Sequence, residues 1–281
     1  MSTSHNAFTA AHYSPRSEDY VTSRDHSTGV DLDDIEAELK DASSWRVLDL
    51  GCGGGHVSYR AAPHVREVVA CDVTQAMLDT VTREANTRGL ANVVVKRASA
   101  EALPFDLGVF DAVLCRFTTH HWSDMEAGLR EASRALKSGG LAIFVDVVAP
   151  ADRTLDTHLQ TVELLRDASH VRNYSVAEWL AGLSRSGFAI QRLSTRRMRM
   201  DFPVWIARTR TSDDHARAIR SLQLNAPDVV KDHLRIGPDG ASISRQLPLS
   251  QTNPRQGSVT REKIRRAQSM TKNAKRGSRQ P

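Results

Sequence analysis

Val47-Leu-Asp-Leu-Gly-Cys-Gly-Gly-Gly-His56 is the stretch that decides how the chain is read. An apolar run carrying Asp49 enters a loop with glycine at 51, 53, 54 and 55, and amphipathic sequence follows from His56 to Ala62. That order predicts a buried strand, a turn where backbone approaches a ligand closely, and a helix whose first N–H groups face that turn. Glycines alone mark only a turn, so the flanking sequence carries the decision.

Outward from this stretch, short apolar runs alternate with helical patterns. Arg46–Leu50, Glu67–Cys71, Asn92–Arg97, Val109–Cys115 and Leu141–Val148 read as strands. Between them, Pro63 limits the helix begun at His56. Thr74 caps a helix that turns Met77, Leu78, Val81 and Ala85 inward and stops at Gly89. Ser123-Asp-Met-Glu126 reads as a capping box for a helix through Leu129, Ala132 and Leu136, closed by Gly139-Gly140. Strand–helix alternation implies right-handed βαβ units, and near-continuous apolar strands imply a parallel sheet covered on both faces. The expected fold class is therefore α/β, a Rossmann-like, doubly wound and mostly parallel sheet.

After Pro150 the pattern becomes helical, and a cap inserted at about 152–186 and 205–226 is expected. Its helices carry Leu155, Leu159, Val162 and Leu165, then the capping box Ser175-Val-Ala-Glu178, then Ala216, Ile219 and Leu222. Phe188–Leu193 is a sixth strand. Before the sheet, Asp31 is placed to cap a short helix with Leu32, Ile35 and Leu39 on one face. The expected plan is an N-terminal arm over 1–30, a folded domain over 31–245 and a basic, disordered tail over 246–281.

The net charge of +5 belongs to that tail. Ten of the 38 Lys and Arg lie in residues 245–281 with a single acid, Glu262, so the remainder is acidic on balance. A nucleic-acid groove in the core is therefore not expected, although weak binding through the tail is allowed. No apolar run reaches the length of a membrane span, and the polar Met1-Ser-Thr-Ser-His5 start has no signal-peptide core. Cys52, Cys71 and Cys115 have no metal-ligand spacing and read as reduced core thiols; a cytoplasmic protein with no metal is expected.

The glycine loop departs from two phosphate-binding patterns. G-x-G-x-x-G places glycine at its sixth position, where this chain has His56, and no Gly-Lys-Ser/Thr is present for a triphosphate. Asp49 precedes the glycines instead, and Asp72 ends the next strand, where a carboxylate accepts ribose hydroxyls. The ligand wanted has a ribose, an amino group and little phosphate.

Six segments then occur in order: Val47–Gly55, Val69-Ala-Cys-Asp-Val-Thr-Gln-Ala-Met-Leu78, Glu101-Ala-Leu-Pro-Phe105, Phe110-Asp-Ala-Val113, His120-His-Trp122 and Arg134-Ala-Leu-Lys-Ser-Gly-Gly140. Together they resemble the class I S-adenosylmethionine-dependent methyltransferases. Within these they resemble most the small-molecule group that includes the ubiquinone/menaquinone-biosynthesis C-methyltransferases. The similarity runs over residues 20–245. It implies the class I methyltransferase fold and S-adenosyl-L-methionine as cofactor. Gly51 and Gly53 would pass under its methionine part, Asp49 would orient its amino group, and Asp72 with Val73 would hold its ribose. Met77, Ser99, Ala100 and Glu101 would surround the adenine, and the Arg116 carbonyl would meet the methionine amine. The resemblance also implies a last antiparallel strand between the fifth and sixth; Ala241–Pro248 is the candidate, and Pro248 suits a central strand badly. Where the family usually has aspartate, this chain has Ser99. A hydrogen bond to a charged partner is worth about 1.5–3 kcal/mol and a neutral one about 0.5–1.5. Weaker cofactor affinity follows unless Glu101 substitutes.

Methyl transfer is an in-line displacement helped chiefly by alignment, and a base matters only where the acceptor arrives protonated. His121, and next to it His120, sit past the fourth strand and are the candidate bases. His170, Arg172 and Tyr174 on a polar turn are candidates for contacting substrate, and Tyr20 and His26 for closing over the site from the N-terminal side. The expected acceptor is a small molecule, phenol- or quinone-precursor-like or a carboxylic acid. Cys52 in the glycine loop, with Cys71 and Cys115 at strand ends, argues against a thiol-bound arsenite acceptor. The base-amino methyltransferases place Asn/Asp-Pro-Pro-aromatic after the fourth strand, and here that position reads Cys115-Arg-Phe-Thr-Thr-His120. A non-catalytic cofactor-binding regulator, an RNA or protein methyltransferase using the tail, and an NAD-dependent oxidoreductase are the competing readings. The oligomeric state is not legible.

Overall fold

The computed structural model describes residues 4–21, 27–239 and, as backbone, 242–254. β1 (Arg46–Leu50) is central, and from Val47 onward every residue of it is buried. Around it run β2 (Glu67–Asp72), β3 (Val93–Arg97), β4 (Phe110–Arg116), β5 (Leu136–Val145), β6 (Phe188–Asp201) and β7 (Ser242–Pro254), in the order β3-β2-β1-β4-β5-β7-β6. β7 alone is reversed: it pairs antiparallel with both β5 and β6, and the other pairings are parallel. This is the α/β, doubly wound sheet expected of a class I methyltransferase.

Alternate residues of the strands feed two faces, because side chains along a strand alternate. Leu48, Leu50 and Val113 pack with α6 (Met125–Ala135) and α8 (Val176–Arg185) through Leu129, Ala132, Trp179 and Leu183. Val47, Val68 and Ala112 pack with α3 (Val30–Glu38) and α4 (His56–Ala61) through Leu32, Ile35 and Val57. α5 (Gln75–Thr87) completes that layer, with Leu78, Val81 and Ala85 against Ala70. Ahead of the sheet, α1 (His5–Tyr13) and α2 (Ser17–Val21) give the N-terminal arm a helical course. A second core forms where α7 (Arg153–Arg166), α9 (Phe202–Arg208) and α10 (Asp213–Leu224) gather Val162, Phe202, Trp205 and Ile219. α11 (Asp228–Leu234) joins Leu155 through Val230 and Leu234. Among the described residues no helix is long and apolar enough to cross a membrane.

Several local expectations shift. Gly29, not Asp31, caps α3, because the Asp31 carboxylate is taken by Arg116. Asp124, not Ser123, caps α6 by accepting from Ala127 N–H at 2.9 Å. Gly139 and Gly140 lie inside β5, at an irregularity that pairs Leu136 with Phe110 and Leu141 with Ala112. The Ser175–Glu178 capping box is present, but its helix covers the sheet instead of joining the cap. Leu222 is exposed, and Gln223 is buried in its place.

The boundary at 245 also moves, because β7 runs on to Pro254. Pro248 is tolerated for a reason visible in the register. β5 pairs with β7 only over residues 249–252, while Pro248 stands opposite Thr195 of β6, beyond the end of β5. A proline there faces a single neighbouring strand. β6 and β7 thus overshoot the sheet as a two-stranded ribbon at its carboxyl edge. Chains ending at 241 and at 254 differ only by β7; the shorter is expected to melt far below the longer in a thermal unfolding experiment, since it leaves β6 unpaired and the outer edge of β5 open.

Candidate active site

The parallel strands end at one edge, and the chain's winding reverses between β1 and β4, the place where open α/β sheets form a crevice. A cavity of about 1100 Å³, counted out to its open mouth, fills that crevice. Its floor is the glycine loop. Gly51 has φ +72°, and a Cβ there would lie 2.2 Å from Thr118 Oγ1, so only glycine lets the loop pass Thr118, two residues beyond β4. Gly53 has φ +48°, and no atom lies within 4 Å of where its Cβ would stand, which leaves its face open. Its N–H donates to Asp72 Oδ2 at 3.0 Å, while Thr74 N–H donates to Oδ1 at 2.8 Å. Burial pushes the Asp72 carboxyl up against these bonds.

His56 at the sixth loop position has a partner of its own. Its Nε2 lies 2.8 Å from the Tyr20 carbonyl and must donate to it, and burial holds the ring neutral by lowering its pKa. The residue that departs from the dinucleotide pattern therefore ties the N-terminal arm to the loop.

Of the residues picked out by sequence, Gly51, Gly53, Asp72, Val73, Met77, Ser99, Ala100, Glu101, His120, His121 and Tyr20 line the cavity. Asp49 does not; it lies behind the loop, where Ser58 Oγ donates to it at 2.6 Å and burial pushes its carboxyl up to about 7. Arg116 is likewise withdrawn, ion-paired with Asp31 and packed on the Phe117 ring, and the wall is made by Phe117 and Thr118. Phe117 has φ +54°, a left-handed conformation that costs a non-glycine residue about 1–3 kcal/mol. Ser99 Oγ donates to Glu101 Oε2 at 2.5 Å, and Asn6 of α1 donates to both. An aspartate at 99 would put two carboxylates side by side, so serine and glutamate act here as a pair.

The two histidines are held differently. His120 Nδ1 lies 2.6 Å from Asp146 Oδ1, just past β5, and the Asp146 carboxylate also accepts from Val147 N–H at 2.8 Å. Burial pushes the His120 pKa down, but the facing carboxylate outweighs it and raises it. His121 has both ring nitrogens occupied, Nδ1 by Ser169 and Nε2 by Tyr13 OH at 3.1 Å. Burial, with the charge of His120, drives its pKa down to about 3.

Behind His121 stands Asp167, which the sequence did not mark. It accepts from Tyr13 OH at 2.5 Å and from Ser169 N and Oγ at 2.9 and 2.6 Å, and His12 Nε2 lies 3.2 Å away. Burial would push this carboxyl up, but hydrogen bonds from His12, Ser169 and Tyr13 hold it well below the usual carboxylate range. The candidates chosen from the same turn do other work. His170 Nε2 pairs with Gln160 Oε1 at 2.9 Å, Arg172 bridges Asp156 and Glu178, and Tyr174 packs beside Trp179. None of the three lines the cavity. His26 lies outside the described residues. Asn6, Thr9 and Tyr13 of α1 do line it, and no apolar stripe in the sequence announced them.

Residues 48–144 match the family model described as a methyltransferase domain. The chain is 40% identical over 190 residues to YafE, an uncharacterised protein of Escherichia coli K12, spanning 92% of that protein and 68% of this chain. It is 34% identical over 212 residues to the uncharacterised methyltransferase YcgJ of Bacillus subtilis, spanning 84% of it and 74% of this chain. The crystal structure of YcgJ superposes with a TM-score of 0.77, covering 99% of YcgJ and 81% of this chain. The chain belongs to the class I S-adenosylmethionine-dependent methyltransferases. The enzyme is also 33% identical, over 108 residues, to a ubiquinone/menaquinone biosynthesis C-methyltransferase of Zymomonas mobilis, covering 45% of that protein and 38% of this chain.

Asp49 yields a pH test. Its folded pKa of about 7 is above its unfolded value, so its contribution to stability is fully present below the unfolded pKa and is lost as pH rises towards 7. Asp49→Asn keeps an acceptor for Ser58 but carries no charge. Thermal melts are expected to show the variant gaining on the parent between pH 4 and pH 8.

Proposed function

We propose that this methyltransferase acts on a small organic acceptor whose reacting atom arrives protonated, with His120 as the base. The observation that carries this reading is the Asp146–His120 pair on the cavity wall. A carboxylate on Nδ1 fixes the tautomer and leaves Nε2 as the nitrogen that exchanges a proton. With its pKa raised, His120 is the stronger base; His121, at about 3 and bonded at both nitrogens, is a weak one and serves to position the loop.

When bound, S-adenosylmethionine would supply an electrophilic methyl group for in-line displacement from its sulfonium. The chain's own residues supply the setting. The open face of Gly53 and the turn at Gly51 leave room for ligand against backbone, and Asp72, already oriented by two N–H groups, keeps lone pairs for hydroxyls. Glu101 and Ser99 offer acceptors at the adenine edge, and Met77, Val73 and Ala100 offer apolar contact. Trp122, Val147 and Phe117 exclude water from the reacting end. A quinone precursor, as the name of the Zymomonas relative suggests, meets the requirement for a reacting atom that arrives protonated; a carboxylate, ionised near neutrality, needs no base at its own oxygen.

Two measurements test the reading. His120→Ala is expected to lower turnover about 10²–10⁴-fold, with the dissociation constant for S-adenosylhomocysteine unchanged; unchanged turnover would overturn the role. In the parent, kcat/KM should rise with pH as His120 loses its proton, through a midpoint above 6.5. Asp146→Asn removes the charge that favours the protonated ring, so that limb should move to lower pH while the plateau falls. Labelled methyl groups that never leave the cofactor, whatever metabolite extract is added, would instead favour a regulatory binder.

A further inference from the structure

The cavity is polarised along its length in a way that methyl transfer by itself does not require. Asp72 and Glu101 are the acids on its wall, and both belong to the glycine-loop end. The other charged wall residues are Arg166 and Arg208, which come from the cap helices, and His120 lines the same cavity. Arg166 closes α7 and Arg208 closes α9, and each is about nine-tenths buried. Both guanidinium charges act on the Tyr20 hydroxyl, which lines the same cavity, and so the two share one end of it.

Arg166 is fixed in place. Its Nε donates to the Trp205 carbonyl at 3.0 Å, its guanidinium lies 5.1 Å from the centre of the Trp205 ring, and Glu163 is 3.8 Å from a terminal nitrogen. Glu163 and Asp167, the neighbouring acids, do not line the cavity, and Asp167 is engaged by Tyr13 and Ser169. Met198 and Met200, carried in on the β6 overshoot, form the apolar wall beside the arginines. Buried arginine is the residue suited to a carboxylate or phosphate, because its forked donors match two oxygens at once.

We propose that Arg166 and Arg208 hold an oxyanion, carboxylate or phosphate monoester, on the methyl acceptor, so that the substrate is a small organic acid with an apolar body. The proposal rests on the cavity being the methyl-transfer site described above. The arginines bind the end of the acceptor remote from the transferred methyl group.

The test uses the full chain saturated with S-adenosylhomocysteine and three probes, 4-hydroxybenzoate, 4-hydroxybenzamide and phenyl phosphate, titrated calorimetrically. An anionic probe is expected to bind at least about tenfold more tightly than the amide. Which of the two anions is preferred identifies the headgroup. Arg208→Gln and Arg166→Gln should each erase the preference while S-adenosylhomocysteine still binds as in the parent, and Arg208→Lys should keep part of it. Equal response to anion and amide, including response to neither, overturns the proposal. So does loss of anion binding when S-adenosylhomocysteine is added, because the arginines would then serve the cofactor's own carboxylate. Failure of the parent to bind S-adenosylhomocysteine is a separate result, and it removes the cofactor reading of the cavity.

Discussion

Asp167 is the group on which the geometry of the site depends. It is a buried carboxylate that accepts from Tyr13 and Ser169 and lies beside His12, so it gathers the N-terminal helix and the cap turn at a single point. A buried charge is tolerated only when its lone pairs are met. Removing one of these segments would strand the carboxylate. The Tyr13 hydroxyl and Ser169 that satisfy it are also the groups that hold His121, and the His120 carbonyl accepts from Val171 and Arg172 N–H in the same turn. The loop carrying both histidines is thereby set by an acid that never reaches the cavity.

Two carboxylate–histidine contacts stand one residue apart with different consequences. Asp146 touches His120 directly and supports its protonated form. Asp167 reaches the His121 ring only through Tyr13 and Ser169, so burial decides and His121 stays neutral. A single chain segment thus holds one ring prepared to exchange a proton and one that cannot compete for it. This difference in wiring separates a catalytic group from a positioning one where the sequence, His-His, is symmetrical.

The sheet was legible because its central strands are buried on both faces and so are written largely as apolar runs. Arg46–Leu50 begins and ends where the pattern says, and the acid after the second run lands on the cavity. α1 was not legible because it buries only Thr9 and Tyr13 and otherwise spends its side chains on polar contacts. The polar turn ending at Tyr174 drew attention in the sequence, but its orientation was not legible. Arg166, Asp167 and Ser169 face inward or brace the site, whereas His170, Arg172 and Tyr174 anchor the turn to α7 and α8. Which residues of an irregular turn point inward depends on backbone angles that residue type does not report. Ser99 was legible as a departure, but its pairing with Glu101 and Asn6 needed the fold.

The position of β7 bears on how the molecule is made. The strand that separates β5 from β6 comes after the cap helices in the chain, and β6 reaches the sheet only through it. During synthesis the first five strands can assemble on their own, while β6 waits with no partner until residues 242–254 have emerged. Assembly of the outer sheet is therefore a late step between segments far apart in sequence, the kind of pairing that forms slowly. Because Met198 and Met200 ride on β6, the acceptor end of the cavity takes shape only then, after the cofactor floor on β1 and β2 is already built.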